Sequence, residues 1–477
     1  MRMEHDLLGE MDIPESVYWG IHTQRALTNF AISRTRVHPV LIRAFGTVKE
    51  AAARANYELG YLKEPVARAI IKAAGELRRG EWQDQFPLDA VQGGAGTSTN
   101  MNVNEVIANR ALEILGQPKA RYDHVNPYDH VNLHQSTNDT YPTALKIAAI
   151  WMIRPLADCF AEMQTALQEK TVEFAGVIKT GRTQLQDAVP ITVGQAMGAW
   201  AQAISRDRSR LYKAEQRLRH VPMGGTAVGT GMNAPQNYVD LVNDELRRLA
   251  RIGIARAENM IDATQNLDVF TEVSGLLKAT ATNLTKIAND LRLMSSGPVS
   301  GLGELILPAV QSGSSIMPGK VNPVMPEMIN QVAIRVVAND MAITQASSMG
   351  QLELNAFLPI VAHHLLDSLE IMTNGVQLFT ELCIRGIQVD RARCEDGLAC
   401  GIGAVTALTP HIGYSQAQEI YQIARRDHKT IRETVLALEL FEPDDLDQIL
   451  NLQAMTRPGI VGSVANSGIK RCEVGNQ

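Results

Sequence analysis

Long stretches of helical periodicity between residues 139 and 392 constrain the fold of this chain more than any other feature. In the stretch that follows Asp268, apolar residues recur with the spacing of one buried helix face. These residues are Phe270, Val273, Leu277, Leu284, Ala288 and Leu291. Similar patterns cover about residues 143–178, 191–219 and 323–375. Because these patterns are long and carry few charges on several faces, the sequence predicts a helix bundle that is partly buried between subunits.

The composition agrees with a mostly helical fold. Apolar residues make up 45% of the 477 residues and aromatic residues only 5%, a balance that suits helix packing better than a β-sandwich. Strand signals are weak throughout, so sheets are expected to be minor. The polar segments and the helix lengths predict three domains: a mixed, mostly helical N-terminal domain (1–138), a central long-helix bundle (139–392) and a small C-terminal helical domain (393–477).

The charge balance excludes several classes of partner. The chain carries 45 Lys and Arg against 51 Asp and Glu, a formal charge of −6, and has no long basic run. Neither a nucleic acid nor an anionic membrane surface is therefore expected as a partner. No uncharged apolar stretch reaches the roughly 18 residues that a membrane span needs. The N-terminus is acidic, unlike a signal peptide, and the five cysteines are scattered, so a reducing cytoplasm is the expected location.

Four polar segments interrupt the helical patterns. They are residues 96–105 (GTSTNMNVNE), 134–143 (HQSTNDTYPT), 181–195 (GRTQLQDAVPITVGQ) and 313–323 (GSSIMPGKVNP). The first two have the composition of N-terminal caps that precede helices, the second with Pro142 in the first turn. The third is explained as a turn by its glycine and proline, although not by its density of amides. The same segments also supply hydroxyl and amide donors beside helix N-termini, a setting that binds carboxylates.

The fourth segment combines mobility with a single cation. Ser314 and Ser315 follow a glycine, and Lys320 lies within the apolar run IMPGKVNPVM. A lysine withdrawn from water needs an anionic partner, and no acidic residue occurs nearby before Glu327. A bound anion is therefore expected at Lys320. Together the four segments suit a small dianionic substrate that is held without a cofactor and is covered by a closing serine loop.

The segment GGTAVGTG, residues 224–231, has the glycine content of a phosphate-binding loop. It lacks the Lys-Ser/Thr ending of such loops and follows no predicted strand. Nucleotide binding is therefore not the expected function of this segment.

The four polar segments resemble the active-site segments of the aspartase/fumarase superfamily. GSSIMPGKVNPVMPE is similar to the superfamily signature GSSxMPxKxNxxxxE. GTSTNMNVNEVIANRA, HQSTNDTYPTA and GRTQLQDAVP resemble the other segments in the expected order, and the likeness covers about residues 5–462. The resemblance implies a mostly helical, three-domain subunit. It further implies a homotetramer with a twenty-helix core, in which each active site is shared by three subunits.

The resemblance also implies a reaction: deamination of L-aspartate to fumarate and ammonia by a carbon–nitrogen lyase, through an aci-carboxylate intermediate. Ser314 matches the position of the catalytic base. Thr97, Ser136, Thr137 and the amide of Ser315 match positions that bind the β-carboxylate. Backbone amides of the closed loop are expected to stabilise the alkoxide of Ser314.

The remaining matched positions surround the other end of the substrate. Lys320 and Asn322 match residues that hold the α-carboxylate, whereas Asn138, Thr183 and Gln184 match residues around the amino group. No metal ligand set is visible, so no cofactor is expected, and activation by a divalent cation cannot be read from the sequence.

Two alternative activities remain open on the same fold: hydration of fumarate to L-malate, and elimination from a substituted aspartate. Thr137 stands where fumarases usually carry a serine, and Gln184 stands where they carry a histidine. These two positions favour the ammonia-lyase over the hydratase, whereas nothing in the sequence reports the pocket volume that would exclude a substituted substrate.

Overall fold

The computed structural model describes residues 1–398 and 401–462 of the chain. This part of the protein is mostly helical, as the sequence predicts. The helices are α1 Ile21–Asn29, α2 Pro39–Glu58, α3 Glu64–Arg78, α4 Thr97–Ile114, α5 Thr137–Glu173, α6 Val193–Arg217, α7 Gln236–Ala250, α8 Met260–Gln265, α9 Asp268–Met294, α10 Val324–Ser348, α11 Leu358–Leu382, α12 Arg391–Glu395, α13 Ile402–Ile412, α14 Tyr414–Arg426, α15 Ile431–Ala437, α16 Pro443–Ile449 and α17 Leu452–Met455.

Sheets are minor, which confirms the weak strand signals. The strands are β1 Arg2–Asp6, β2 Gly9–Ile13, β3 Ile178–Thr183, β4 Gln186–Thr192, β5 His220–Val221, β6 Ala255–Arg256, β7 Leu305–Ile306 and β8 Gln388–Val389. They form two-stranded sheets in the pairs β1–β2, β3–β4, β5–β6 and β7–β8. The β5–β6 pair is parallel and the other three pairs are antiparallel.

The long central helices bury the faces that their periodicity predicts. All six apolar positions named for α9 are buried, from Phe270 to Leu291. The pattern over residues 323–375 is divided between two helices, α10 and α11, because residues 349–357 leave the helical conformation. The pattern over residues 143–178 belongs to α5, which begins earlier, at Thr137, and ends at Glu173.

Helix α2 packs beneath the segments that carry the candidate site residues of the N-terminal half. It starts after His38, whose Nδ1 accepts a hydrogen bond from Val40 N, and Pro39 occupies its first position, where a missing N–H costs nothing. It packs against α3, α4 and α7. Phe45 of α2 meets the ring of Tyr141 edge to face, with ring centroids 5.4 Å apart. Helices α2 and α5 are thereby fixed against each other close to the N-terminus of α5.

The chain divides into two compact units. The first comprises Met1–Cys159, Asp207–Thr282 and Gln331–Gly375. The second comprises Phe160–Arg206, Asn283–Asn330 and the described residues from Val376 onward. The three-domain boundaries at 138/139 and 392/393 remain a prediction. Within the described residues, no helix is long and apolar enough to cross a membrane.

Candidate active site

The first polar segment places Thr97 at the start of α4. The preceding Gly96 has a left-handed backbone with φ of +90°, and a Cβ at this position would overlap the ring of Tyr141. Only glycine fits, because both the φ value and the close approach exclude a side chain. No side chain caps α4, since Gly96 is its N-cap residue. The interpretation of this segment as an N-capping run is therefore wrong, and the half-buried hydroxyl of Thr97 is not used as a cap.

The asparagines of the same segment lie inside α4 and are buried. Asn100 Nδ2 and Asn104 Nδ2 donate to Asn132 Oδ1 at 3.2 and 3.1 Å, and Asn102 Nδ2 donates to the carbonyl of Gln85 at 3.1 Å. These amides hold the chain together internally, because a buried amide without a partner is costly. The expectation that the whole segment offers donors to a carboxylate is therefore wrong for the asparagines. Only the first residues of the segment remain candidates for such donors.

The second segment does form a helix cap, as its composition predicts. Ser136 Oγ accepts from Asn138 N at 3.2 Å, and Asp139 Oδ1 accepts from Ser136 N at 3.0 Å. This reciprocal arrangement satisfies the free amides at the N-terminus of α5. Pro142 lies in the second turn of α5 rather than in the first, so that prediction is wrong. With its oxygen engaged as an acceptor, the Ser136 hydroxyl retains its proton for donation.

The next two residues, Thr137 and Asn138, differ in burial and in hydrogen bonding. Thr137, the first residue of α5, is almost completely buried. Asn138 is half-buried, and its Nδ2 donates to the carbonyl of Ala227 at 2.7 Å. This hydrogen bond fixes the orientation of the amide and leaves Asn138 Oδ1 as an acceptor.

The third segment is a β-hairpin rather than an irregular loop. Strands β3 and β4 pair antiparallel with Thr183 opposite Gln186, so Gln184 and Leu185 form a two-residue turn. Both turn residues have positive φ, +54° and +63°, a conformation usually supplied by asparagine or glycine. Thr183 and Gln184 are exposed at the tip. Left-handed non-glycine residues concentrate at functional sites, which is consistent with a role for this tip.

A buried carboxylate holds the hairpin. Arg182 donates to Glu304 Oε1 at 2.6 Å, and Lys179 Nζ lies 3.1 Å from Glu304 Oε2. The side chains of Glu304 and Lys179 are both almost fully buried. Because Arg182 directly precedes Thr183, this ion-pair cluster fixes the base of the tip.

The fourth segment folds into a compact loop around Ser314. Ser314 Oγ accepts from Met317 N at 2.8 Å and from Ile316 N at 3.2 Å. The loop is closed by Gly313 N, which donates to the carbonyl of Lys320 at 2.9 Å. Asn322 Nδ2 donates to the carbonyl of Gly313 at 2.6 Å. Two backbone amides thus converge on the hydroxyl oxygen of Ser314, and the stabilisation of an alkoxide by these amides stays a prediction.

The outer part of the loop lies in solvent. Ser315 and Lys320 are exposed, and Ile316 is 83% exposed. The expectation that Lys320 is withdrawn from water is therefore wrong for the single chain. An exposed apolar side chain beside an exposed cation is consistent with a loop that closes over a bound anion.

Comparison with known proteins identifies the family. Residues 9–338 match the lyase family, and residues 405–457 match the fumarase C C-terminus family. The chain belongs to the aspartase/fumarase superfamily. It is 48% identical over 462 residues to an aspartate ammonia-lyase of a Bacillus species, with 97% of this chain and 99% of that protein covered.

Solved structures of the superfamily share the fold. A fumarate lyase:delta crystallin of Brucella melitensis, solved with bound cobalt, is 45% identical with a TM-score of 0.93, covering 96% of this chain and all of that one. A class II fumarase of Schistosoma mansoni is 35% identical with a TM-score of 0.91, covering 95% of this chain and 99% of that one. These likenesses confirm the predicted mostly helical subunit of the aspartase/fumarase type, whereas the twenty-helix tetramer core stays a prediction.

The candidate residues of this superfamily member are distributed over the two compact units. The first unit contains Thr97, Ser136, Thr137 and Asn138 on the first turns of α4 and α5. A hydrogen bond from Thr140 Oγ1 to Asn100 Oδ1, at 3.2 Å, joins these two turns. The second unit carries the others on the hairpin and the serine loop: Thr183, Gln184, Ser314, Ser315, Lys320 and Asn322. Their roles in the reaction remain predictions.

Sequence reasoning missed the buried residues that support these segments. Lys49 in α2 and Glu304 before β7 were not selected, although both are almost inaccessible to solvent. A signal was present for Lys49, which shares an apolar helix face with Phe45 and Ala52. Glu304 gave no local signal, since its partners come from a distant part of the sequence.

In residues 1–398 and 401–462, no group of three or more His, Cys, Asp or Glu side chains is arranged to hold a metal ion. The chemistry of the candidate site residues is that of neutral hydroxyls, amides and one ammonium group. Such groups can donate hydrogen bonds to carboxylates directly.

Proposed function

We propose that this chain is an aspartate ammonia-lyase that converts L-aspartate to fumarate and ammonia. The observation that carries the proposal is the position of Ser314 Oγ, which accepts two backbone amides inside the loop that bears the superfamily signature. The identity of 48% to an aspartate ammonia-lyase over nearly the whole chain supports the same choice.

The difficult step is removal of the proton from Cβ of the substrate. Ser314 Oγ, as the alkoxide, takes this proton, and the electron pair delocalises into the β-carboxylate to give a doubly charged aci-carboxylate. The pair then returns to form the Cα–Cβ double bond while the C–N bond breaks, and ammonia leaves. An enzyme accelerates this sequence by binding the dianion more tightly than the substrate.

A serine is a weak base unless its alkoxide is stabilised. The amides of Ile316 and Met317 donate to Ser314 Oγ and supply this stabilisation in the same way as an oxyanion hole. Closure of the exposed loop would remove water from around the alkoxide and strengthen both hydrogen bonds.

The developing charge on the β-carboxylate is met by hydroxyl and amide donors. Thr97, Ser136, Thr137 and the amide of Ser315 supply them in our proposal. The Ser136 hydroxyl is suited to this task, because its oxygen already accepts from Asn138 N and its proton is free to be donated. Each donor of this kind contributes on the order of 3 kcal/mol to the rate.

The other end of the substrate needs one cation and one or more acceptors. Lys320 and Asn322 hold the α-carboxylate, and Asn138, Thr183 and Gln184 surround the ammonium group. The orientation of Asn138 supports this assignment, since its donor end is occupied by the carbonyl of Ala227 and its acceptor end remains available.

Fumarate hydration is the second candidate on this fold, and the 35% identity to a class II fumarase keeps it testable. Gln184 stands at the exposed tip of the hairpin in place of a histidine, which favours the amine substrate. A substituted aspartate is a third candidate. The decisive experiment is incubation of the purified protein with L-aspartate, with L-malate and with N-substituted and 3-substituted aspartates, followed by the absorbance of fumarate. Fumarate from L-malate alone would refute the proposal.

Replacement of the base gives the second test. Ser314→Ala should abolish turnover, because no other group replaces the alkoxide, while the assembled protein remains folded. Ser300→Ala, at an exposed serine in the same compact unit, is the matched control and should retain full activity. Substantial activity in Ser314→Ala would show that another residue removes the proton.

We also propose that the working enzyme is a homotetramer with active sites shared by three subunits. Helix α10 supports this proposal, because Ile334, Val337 and Met341 form an apolar stripe and are 69%, 45% and 63% exposed in the single chain. Apolar stripes of this kind mark surfaces that bind another protein.

Shared sites can be tested by mixing impaired variants. Thr97→Val should retain about 1% of the activity, because loss of a donor costs about 3 kcal/mol, and Ser314→Ala should be inactive. Co-expression should raise the activity above that of either variant if the two residues of one site come from different chains. No restoration in verified mixed tetramers would contradict the shared site. We further propose that the enzyme works without a cofactor and in the cytoplasm. Turnover that is lost after exhaustive chelation and regained with a divalent cation would contradict the first of these.

A further inference from the structure

A buried lysine lies beneath the polar segment that starts α5. Lys49, in the middle of α2, is fully inaccessible to solvent. Its Nζ donates to Asn132 Oδ1 at 2.9 Å and to Gln135 Oε1 at 3.0 Å. Both acceptors are neutral amides, and Gln135 directly precedes the turn Ser136–Asn138. Lys49 therefore holds this turn in place through hydrogen bonds on its N-terminal side.

A buried carboxylate, that of Asp139, forms hydrogen bonds at the C-terminal side of the same turn. Asp139 is fully inaccessible and accepts three backbone N–H groups. Ser136 N donates to its Oδ1 at 3.0 Å, while Thr226 N and Gly224 N donate to its Oδ2 at 2.9 and 3.2 Å. The carboxylate thus joins the turn to the glycine-rich segment 224–231.

This explains the segment that resembles a phosphate loop. Its amides at positions 224 and 226 are directed at an anion, and the anion is the internal carboxylate of Asp139. Gly224 has φ of +94°, and Gly229 approaches the backbone of Ile261 so closely that a Cβ would overlap it. The conformation of the segment is therefore fixed by these glycines, and its amides bind Asp139. The carbonyl of Ala227 within it accepts a hydrogen bond from Asn138 Nδ2.

The electrostatics agree with this geometry. Burial raises the pKa of Asp139 to about 7, and the hydrogen bonds from Ser136, Thr226 and Gly224 and the charge of Lys49 oppose that rise. Burial likewise lowers the pKa of Lys49 to about 7, against the attraction of Asp139. Each of the two charges therefore favours the charged form of the other, while the hydrogen bonds to Asn132, Gln135 and the backbone amides satisfy the two groups separately.

We propose that Asp139 and Lys49 are positioning residues of the reaction, which hold Ser136 and Asn138 in the orientation that binds the substrate. Neither side chain touches the substrate, since both lie beneath the turn. The inference rests on the proposed aspartate ammonia-lyase activity. It assigns to the 224–231 segment the task of turning the Asn138 amide so that its oxygen faces the ammonium group.

The effect on the reaction should exceed the effect on folding. A displacement of about 1 Å in a substrate-holding group costs about 100-fold in rate. In Asp139→Asn the shape is kept, but an NH2 group faces one or more of the backbone N–H donors, so the turn and the 224–231 segment separate. We expect kcat for L-aspartate to fall about 100-fold in Asp139→Asn and at least tenfold in Lys49→Met.

The test uses the assembled full-length enzyme and measures kcat and KM for L-aspartate together with inhibition by succinate, which has no amine. Lys146→Met is the matched control: Lys146 is a buried lysine of α5 that donates to the carbonyl of His220, outside the network. The melting temperature of Lys146→Met can fall as far as that of Lys49→Met. Its kcat should nevertheless stay within about threefold of that of the unmodified enzyme. Loss of the amine contact should raise KM for L-aspartate more than it raises the inhibition constant of succinate.

Each outcome decides the inference. If the unmodified enzyme forms no fumarate from L-aspartate, the proposed function fails. If it does and assembled Asp139→Asn keeps kcat within threefold, the positioning role is refuted. Should Asp139→Asn not assemble, Lys49→Met decides by the same criterion. Failure of both to assemble also refutes the inference, because the pair would then be needed for folding and not for placing the turn.

Discussion

Substitution of Gly313 by alanine tests whether the internally hydrogen-bonded form of the serine loop is required for activity. A Cβ at this position would lie 2.5 Å from the carbonyl oxygen of Lys320 and 2.7 Å from Asn322 N. These are backbone atoms of the loop itself, so the loop must open to accommodate the methyl group. Opening removes the bonds from Gly313 N to Lys320 and from Asn322 Nδ2 to Gly313.

The size of the effect follows from those two hydrogen bonds. At about 1 kcal/mol each they stabilise the internally hydrogen-bonded loop by about 2 kcal/mol, which corresponds to about 30-fold in the equilibrium between this form and the opened one. We expect kcat/KM for L-aspartate to fall about 30-fold in Gly313→Ala. The melting temperature should not change, because the loop is largely exposed.

Gly319→Ala provides the matched control in the same loop. Gly319 has φ of +85°, and apart from its chain neighbours no heavy atom of the described residues lies within 4 Å of the place a Cβ would occupy. For Gly319→Ala we therefore expect only backbone strain of about 1 kcal/mol, which corresponds to about a fivefold loss in kcat/KM for L-aspartate. If Gly313→Ala keeps kcat/KM within threefold, or loses less than Gly319→Ala, the internally hydrogen-bonded loop is not the active form.

Two further predictions concern the supports of the site. Gly96→Ala should lower both the melting temperature and kcat, because the methyl group overlaps Tyr141 and overpacking of this kind costs about 2 kcal/mol; thermal unfolding and steady-state rates measure both, and unchanged values would contradict the packing argument. Burial lowers the pKa of Lys146 to about 8, so between about pH 8 and 10.5 the unfolded state binds a proton that the folded state does not. Stability from this group should therefore rise with pH by about 3 kcal/mol across that window. Melting temperatures measured against pH should show a weaker rise in Lys146→Met, and parallel curves for the two proteins would refute the assignment.

The helices were predictable because their signal is local. The face of α9 can be read from the spacing of Phe270, Val273 and Leu277, and all three are buried. The division of the 323–375 pattern had a local signal that periodicity does not report, since Gly350 lies just after α10 and Pro359 is the second residue of α11. Periodicity reports which face is buried more reliably than where a helix ends.

The site was predictable to the extent that its segments carry a signature. The serine loop and the cap at Ser136 were found from sequence, whereas the buried asparagines of α4 were assigned to the wrong role. Capping runs and buried amide clusters share a composition, and what distinguishes them is the presence of distant acceptors, here Asn132 Oδ1 and the carbonyl of Gln85. A turn was expected in the third segment, but its position at Gln184 and Leu185 was not predictable, because neither residue type favours positive φ.

The hydrogen bonds within the turn that starts α5 favour an amino acid over a hydroxy acid as the substrate. Ser136 uses its oxygen on Asn138 N and retains a donor, which suits a carboxylate. Asn138 uses its NH2 group on Ala227 and retains an acceptor, which suits an ammonium group. A hydroxyl can also donate to such an acceptor, but an ammonium group forms a charge-assisted hydrogen bond about twice as strong. The preference therefore depends on the 224–231 segment, since rotation of the Asn138 amide by 180° would present a donor to the ammonium group and reverse it.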